Sequence, residues 1–102
     1  MSYNRGNTDI TSVEIGCGID TISTQAFLNC TNLSNIIILG NIDIIDNYAF
    51  YYCNKLKTIK YYGTTSPTHG SYVFYGNNIT NVQVTKDYEG EEFCGMPINR
   101  SL

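Results

Sequence analysis

Basic residues are scarce in this chain, histidine is nearly absent and no long apolar run occurs; each shortage removes a class of function. Six lysines and arginines stand against nine aspartates and glutamates, for a net charge of -3. No positive stripe is left to neutralise phosphates, so a nucleic-acid partner has no electrostatic support. The longest apolar run, Ile36-Ile37-Ile38-Leu39, is far short of the roughly 20 residues of a membrane-spanning helix. The opening from Met1 to Asp9 is polar and lacks the apolar stretch of a signal peptide. No Cys-x-x-Cys is present and His69 is the single imidazole, which leaves too few ligands in any usual order for zinc. Strong helix formers are outnumbered about two to one by isoleucine, valine, threonine, tyrosine and phenylalanine, which excludes a helical bundle.

The rest of the composition favours a folded chain. Hydrophobic residues make up 42% and charged ones 15% of 102 residues, outside the regime of low hydrophobicity and high charge that keeps chains disordered. The length suits one domain.

The chain repeats itself. Ile10, Leu33, Leu56 and Ile79 fall 23 residues apart, as do Val13, Ile36, Ile59 and Val82, and then Ile15, Ile38, Tyr61 and Val84. Between the first two units the register also holds Ile19 with Ile42, Asp20 with Asp43, Ile22 with Ile45, Ala26 with Ala49, Phe27 with Phe50 and Cys30 with Cys53. Each unit begins with alternating apolar residues, as a strand does, then turns into Ile-x-x-Ile and Ala-Phe-x-x-Cys. Thr24 to Cys30 and Asn47 to Cys53 are too short for a stable helix, so a brief helical turn or an irregular arc is expected there. One such coil cannot enclose its own apolar side chains. Stacked copies bury them in continuous columns about 4.8 Å apart.

Residues Leu33 to Ile38 followed by Ile42 to Leu56, with their Ala-Phe-x-x-Cys signature, closely resemble a repeat of the BspA-like leucine-rich repeat family. The resemblance is strong over residues 10–62 and loose over 63–86. It implies an α/β leucine-rich repeat solenoid, mostly β, with a parallel sheet of about four strands and short helical or irregular arcs. It also implies a non-enzymatic protein-interaction module, in adhesion or surface recognition, with no cofactor and a cell-surface or secreted setting. The alternative is a structural segment that closes a longer array and has no ligand of its own. Residues 1–9 are expected as a polar tail and 10–86 as the solenoid, with repeats 10–32, 33–55, 56–78 and a partial 79–86. Residues 87–102, which leave the register and resemble the family's ending, are expected as a cap or tail.

Some positions depart from the family pattern. Gly16 and Leu39 stand where a proline usually follows the strand. In the third arc Thr65 and Thr68 replace the isoleucine pair, Phe74 comes 24 residues after Phe50, and Gly76 falls in the place of the cysteine. The stretch Thr64 to Gly70 is rich in turn formers and reads as a surface loop. The first strand begins with nothing long enough before it to cover its open end, which is consistent with a longer parent chain or with self-association through that edge.

Strand alternation places the residues between the buried columns on the outer face of the sheet. One row there is Glu14, Ile37, Lys60 and Gln83, a second is Ser12, Asn35, Thr58 and Asn81, and a third is Gly16, Leu39, Tyr62 and Thr85. Ile37, Leu39 and Tyr62, rimmed by Glu14 and Lys60, have the character of a protein-docking patch. The expected binding face is thus Glu14, Asn35, Ile37, Leu39, Thr58, Lys60, Tyr62 and Gln83. Tyr48, Tyr51, Tyr52, Tyr72 and Tyr75 fall on the arcs, where we expect them to shield the edges.

Other candidate chemistry is weaker. Cys30 and Cys53 share a column, which suits packing and weak hydrogen bonding better than a cross-link. Cys94 with His69 could supply a nucleophile and a base, yet no third group is in place to orient them. Asp87, Glu89, Glu91 and Glu92 lack the ligand order of a calcium loop and read as a solvated run. Four Asn-x-Ser/Thr sequons, at Asn29, Asn32, Asn78 and Asn99, lend slight support to secretion.

Overall fold

The computed structural model describes residues 4–102; the opening Met1 to Tyr3 lies outside the described residues. Its strands are β1 (Ser12–Ile15), β2 (Thr21–Ile22), β3 (Asn35–Ile38), β4 (Ile44–Ile45), β5 (Thr58–Tyr61), β6 (Thr68–His69), β7 (Val82–Val84) and β8 (Ile98–Asn99). They form two sheets of parallel neighbours, one in the order β1-β3-β5-β7-β8 and one in the order β2-β4-β6. The chain is a parallel β-solenoid of about three turns.

The 23-residue period becomes the sheet register directly. Ile15 lies beside Ile38, Ile38 beside Tyr61 and Tyr61 beside Val84, each on an adjacent parallel strand. The inner columns are buried: Leu33 and Leu56, Ile36, Ile59 and Val82, and Ile15, Ile38, Tyr61 and Val84 are each at most 1% exposed. Ile10 and Val13 are only partly buried because, among the described residues, no strand lies beyond β1. A stack of Phe27, Phe50 and Phe74 runs parallel to these columns, with ring centroids 5.2 and 5.3 Å apart and ring planes within 5° of parallel.

Two expectations need correction. The main sheet has five strands, because Ile98 and Asn99 return to pair with Val82 and Gln83, and the Ile-x-x-Ile segments form a second sheet of their own. The arcs are not helical either: no helix occurs among the described residues. Each arc is a run of tight turns closed by bonds such as Ala26 N–H to Ser23 O (3.1 Å) and Cys30 N–H to Phe27 O (3.2 Å). Their third residues, Gln25 and Asn29, both have φ of 59°, as a type II turn requires. The next coil repeats this at Tyr48 and Tyr52, and the third at Tyr72 and Gly76. The reason lies in the intervening N–H groups. Those of Gln25, Phe27 and Asn29 donate along the stack to the carbonyls of Asn47, Ala49 and Tyr51 at 2.7–2.9 Å. A helix would commit these N–H groups to carbonyls of its own arc and leave adjacent arcs unjoined.

The third coil carries one extra residue before its arc. Ile45 pairs with His69, 24 residues on, while Lys60 returns to 23 opposite Gln83. Tyr52 N–H donates to Tyr75 O as Asn29 N–H donates to Tyr51 O, so Gly76 continues the positive-φ column. Asn77, rather than Gly76, occupies the cysteine position.

Residues 4–9 are bonded to the first arc. Asn4 N–H donates to Ala26 O (2.8 Å) and Gly6 N–H to Leu28 O (2.7 Å), and Gly6 has φ of 67°. This is the same pattern one coil earlier. At the other end Tyr88 and Phe93 are buried against Tyr61, and Phe93 and Met96 close a turn on each other through paired bonds of 2.9 Å.

Candidate functional site

The outer face of the five-stranded sheet collects the residues singled out above. Glu14, Ile37, Lys60 and Gln83 lie on successive strands in one line, which Asn99 extends. Asn35 and Thr58 are neighbours in the next line. Leu39 and Tyr62 follow the strand ends, where their N–H groups still donate to Ile15 O and Ile38 O at 2.9 Å. Leu39 is 44% and Tyr62 43% exposed, whereas Ile37 and Lys60 are half-buried between their row neighbours. Glu14 and Lys60 are two strands apart, roughly 10 Å, so they flank Ile37 without pairing. Among the described residues no ion pair forms on this face, and its charges are available to a partner.

The face is small. Five strands span about 19 Å and four residues about 13 Å, well under the roughly 800 Å² per partner of a standard interface.

The cysteines divide by surroundings. The Cys30 thiol donates to Asn4 O (3.0 Å) and that of Cys53 to Phe27 O (3.2 Å), each reaching the preceding coil. Burial pushes the Cys53 thiol up to about 12. No disulfide forms among the described residues and Cys17 is exposed. Cys94 and His69 both line one cavity of about 340 Å³, with Phe74 and Met96, and no hydrogen bond joins them among the described residues. Burial pushes the Cys94 thiol up to about 12 as well, so it stays protonated at neutral pH, the opposite of what a nucleophilic thiolate needs. Among the described residues no group of three histidine, cysteine, aspartate or glutamate side chains is placed to hold a metal ion.

Sequence reasoning did not foresee a second concavity on the arc side. Tyr48, Tyr51, Tyr52, Tyr72 and Tyr75 alone line a cavity of about 490 Å³. Tyr48 stacks on Tyr72 (5.7 Å) and Tyr51 on Tyr75 (5.6 Å), while Tyr52 meets Tyr75 at 90° and Tyr72 meets Tyr75 at 85°. The available signal was the 24-residue spacing of both stacked pairs, the same as that of Phe50 and Phe74. Desolvation first, then the four neighbouring phenols, push the Tyr51 hydroxyl up.

A model of the BspA type leucine rich repeat region matches residues 4–92 in six copies. The chain belongs to the BspA-type leucine-rich repeat family. No curated protein and no solved structure matches it. The BspA-type match begins at the half-coil of residues 4–9 and reaches into the segment that carries Tyr88, so both ends of the stack share the family pattern. Repeats of this family are in general protein-interaction modules and typically non-catalytic. No helix among the described residues is long and apolar enough to cross a membrane.

Proposed function

We propose that this chain is a non-enzymatic module that docks a protein through the outer sheet face, in adhesion or surface recognition. The observation that carries the reading is the exposure of Leu39 and Tyr62 side by side, next to half-buried Ile37 and between the unpaired charges of Glu14 and Lys60. Contiguous apolar side chains rimmed by polar ones are the arrangement of a protein-docking surface. Asn35, Thr58 and Gln83 supply uncharged hydrogen-bonding groups around the patch. Given the small area, the face by itself supports weak, rapidly exchanging binding unless the partner also reaches the flanking turns. The edge of β1, which among the described residues has β3 on one side only, is where we place any self-association.

The test is a double substitution, Leu39→Ser with Tyr62→Ser, against a partner isolated with the intact chain. Both residues are surface-exposed, so stability should change by about 0.5 kcal/mol or less each. Affinity should fall at least about tenfold. A folded variant that binds as well as the parent would overturn the docking face, and an intact chain that binds no partner would leave the module a structural closing role.

A further inference from the structure

We propose that the tyrosine concavity on the arc side is a second binding site, for a short neutral saccharide. Sugar rings would stack on the aromatic walls, and their hydroxyls would bond the phenol oxygens. The site lies outside the sheet face and does not depend on that face docking a protein.

Four observations lead there. First, the rings are not core: Tyr52, Tyr72 and Tyr75 are 43%, 59% and 52% exposed. The Phe27, Phe50 and Phe74 stack already performs the packing on the inner side of the same arcs. Second, the fold does not ask for tyrosine. Tyr48, Tyr52 and Tyr72 hold φ of 55–59°, which bulky residues rarely adopt. In the column of Tyr52 the same conformation is held at less strain by Gly6, Asn29 and Gly76, and in the column of Tyr48 and Tyr72 the first coil places Gln25. Third, none of the five phenol hydroxyls bonds to another group among the described residues, and they crowd around Tyr51. Unpartnered groups that can both donate and accept suit a ligand rich in hydroxyls. Fourth, no charged side chain lines the cavity, so nothing there selects an ion.

The shape narrows the ligand further. Perpendicular contacts of Tyr75 with Tyr52 and Tyr72 make a corner, in which a ring ligand can rest one face on an aromatic wall and turn its edge to the hydroxyls. Along the solenoid axis the platform is two rings deep, with a 5.6–5.7 Å step. A polyproline II turn repeats at about 9 Å, out of step with rings 5.6–5.7 Å apart. The stacked pairs are too close to admit a quaternary ammonium between parallel rings, as an aromatic cage would.

The chain has no tryptophan to mask its tyrosine emission, and five of its nine tyrosines line the cavity; amide NMR shifts then localise the response. Maltotriose, cellotriose and chitotriose, titrated separately to about 10 mM, suit the weak binding expected of a small open site. The expected result is a saturable response to at least one of them, with shifts confined to residues 48–52 and 72–76. Tyr75→Ala should weaken it at least about tenfold, and Tyr51→Phe, which keeps the ring and removes one hydroxyl, about threefold. If Tyr75→Ala fails to fold, the double variant Tyr51→Phe with Tyr75→Phe keeps both rings and carries the test. Leu39→Ser with Tyr62→Ser should leave saccharide binding unchanged. No saturable response to any of the three, or one that survives Tyr75→Ala, would overturn the proposal. So would a response seen only with a proline-rich peptide or only with tetramethylammonium.

Discussion

Tyr61 occupies a column that Ile15 and Ile38 fill in the preceding coils, and it is as fully buried as they are. Its hydroxyl accepts from Ile42 N–H (3.1 Å) and donates to Thr65 O (2.8 Å). It thus ties the loop with the extra residue to the second coil. Tyr61→Phe should cost about 1–3 kcal/mol in urea unfolding, because a buried N–H and a carbonyl lose their partner while the packing is kept. A change near zero would mean that water replaces the hydroxyl. The buried thiols give a pH signature. Cys53 and Cys94 are held near 12 against an ordinary 9.0, in both cases chiefly by burial. The folded chain therefore binds these protons more tightly than the unfolded one. That stability is fully present below about pH 9 and lost as pH rises toward 12. Melting temperature should hold steady from neutral pH to about 9 and then fall; a profile that stays flat through pH 11 would contradict the burial of both thiols.

At the scale of elements, the strands were legible and the arcs were not. Alternation in Val13 to Ile15 and Ile36 to Ile38 shows which side is buried, because a strand has a period of two and one wet face. The arcs obey no such period. Positive φ at Gln25, Tyr48 and Tyr72 contradicts local preference, and it is imposed by hydrogen bonds to the next coil that no single repeat displays. Gly70 shows how tight this stacking is. A Cβ there would lie 2.6 Å from the Asn47 backbone nitrogen and 3.0 Å from its Cα, and the Asn47 carboxamide already accepts from Ser71 N–H at 2.8 Å. Gly70→Ala should part the second and third arcs and destabilise the chain by about 1–3 kcal/mol. Faster amide exchange at Tyr48 and Phe50, whose N–H groups donate to Ser71 and Val73, would report that separation; unchanged exchange would show that Asn47 can move aside. The eight residues of the candidate face could be named because they follow from strand alternation. The tyrosine cavity could not, because ring geometry depends on the arcs.

For the molecule as a whole, stability comes from each coil covering the next, so the ends decide how much of the stack survives. Phe93 and Tyr88 close the lower end over Tyr61, and β8 covers the far side of β7. A chain ending at Lys86 would expose Tyr61, Val82 and Val84 together. With two buried aromatics lost at about 3–5 kcal/mol each, we expect it to lose cooperative unfolding or to aggregate. Calorimetry and sedimentation of that truncation check this, and a monomer that melts like the parent would show that the segment adds little. In the intact chain, amide protection should peak in β3 and β5, which have coils on both sides.

The sequence alone determined the period, the buried columns, the outer face and the family. All of these follow from side-chain alternation within one coil, multiplied by repetition. Only the tertiary structure decided the fifth strand, the second sheet, the left-handed arcs and the tyrosine concavity. Each of those depends on where one coil's backbone N–H groups find their acceptors on the next, and that pairing exists only once the coils are stacked.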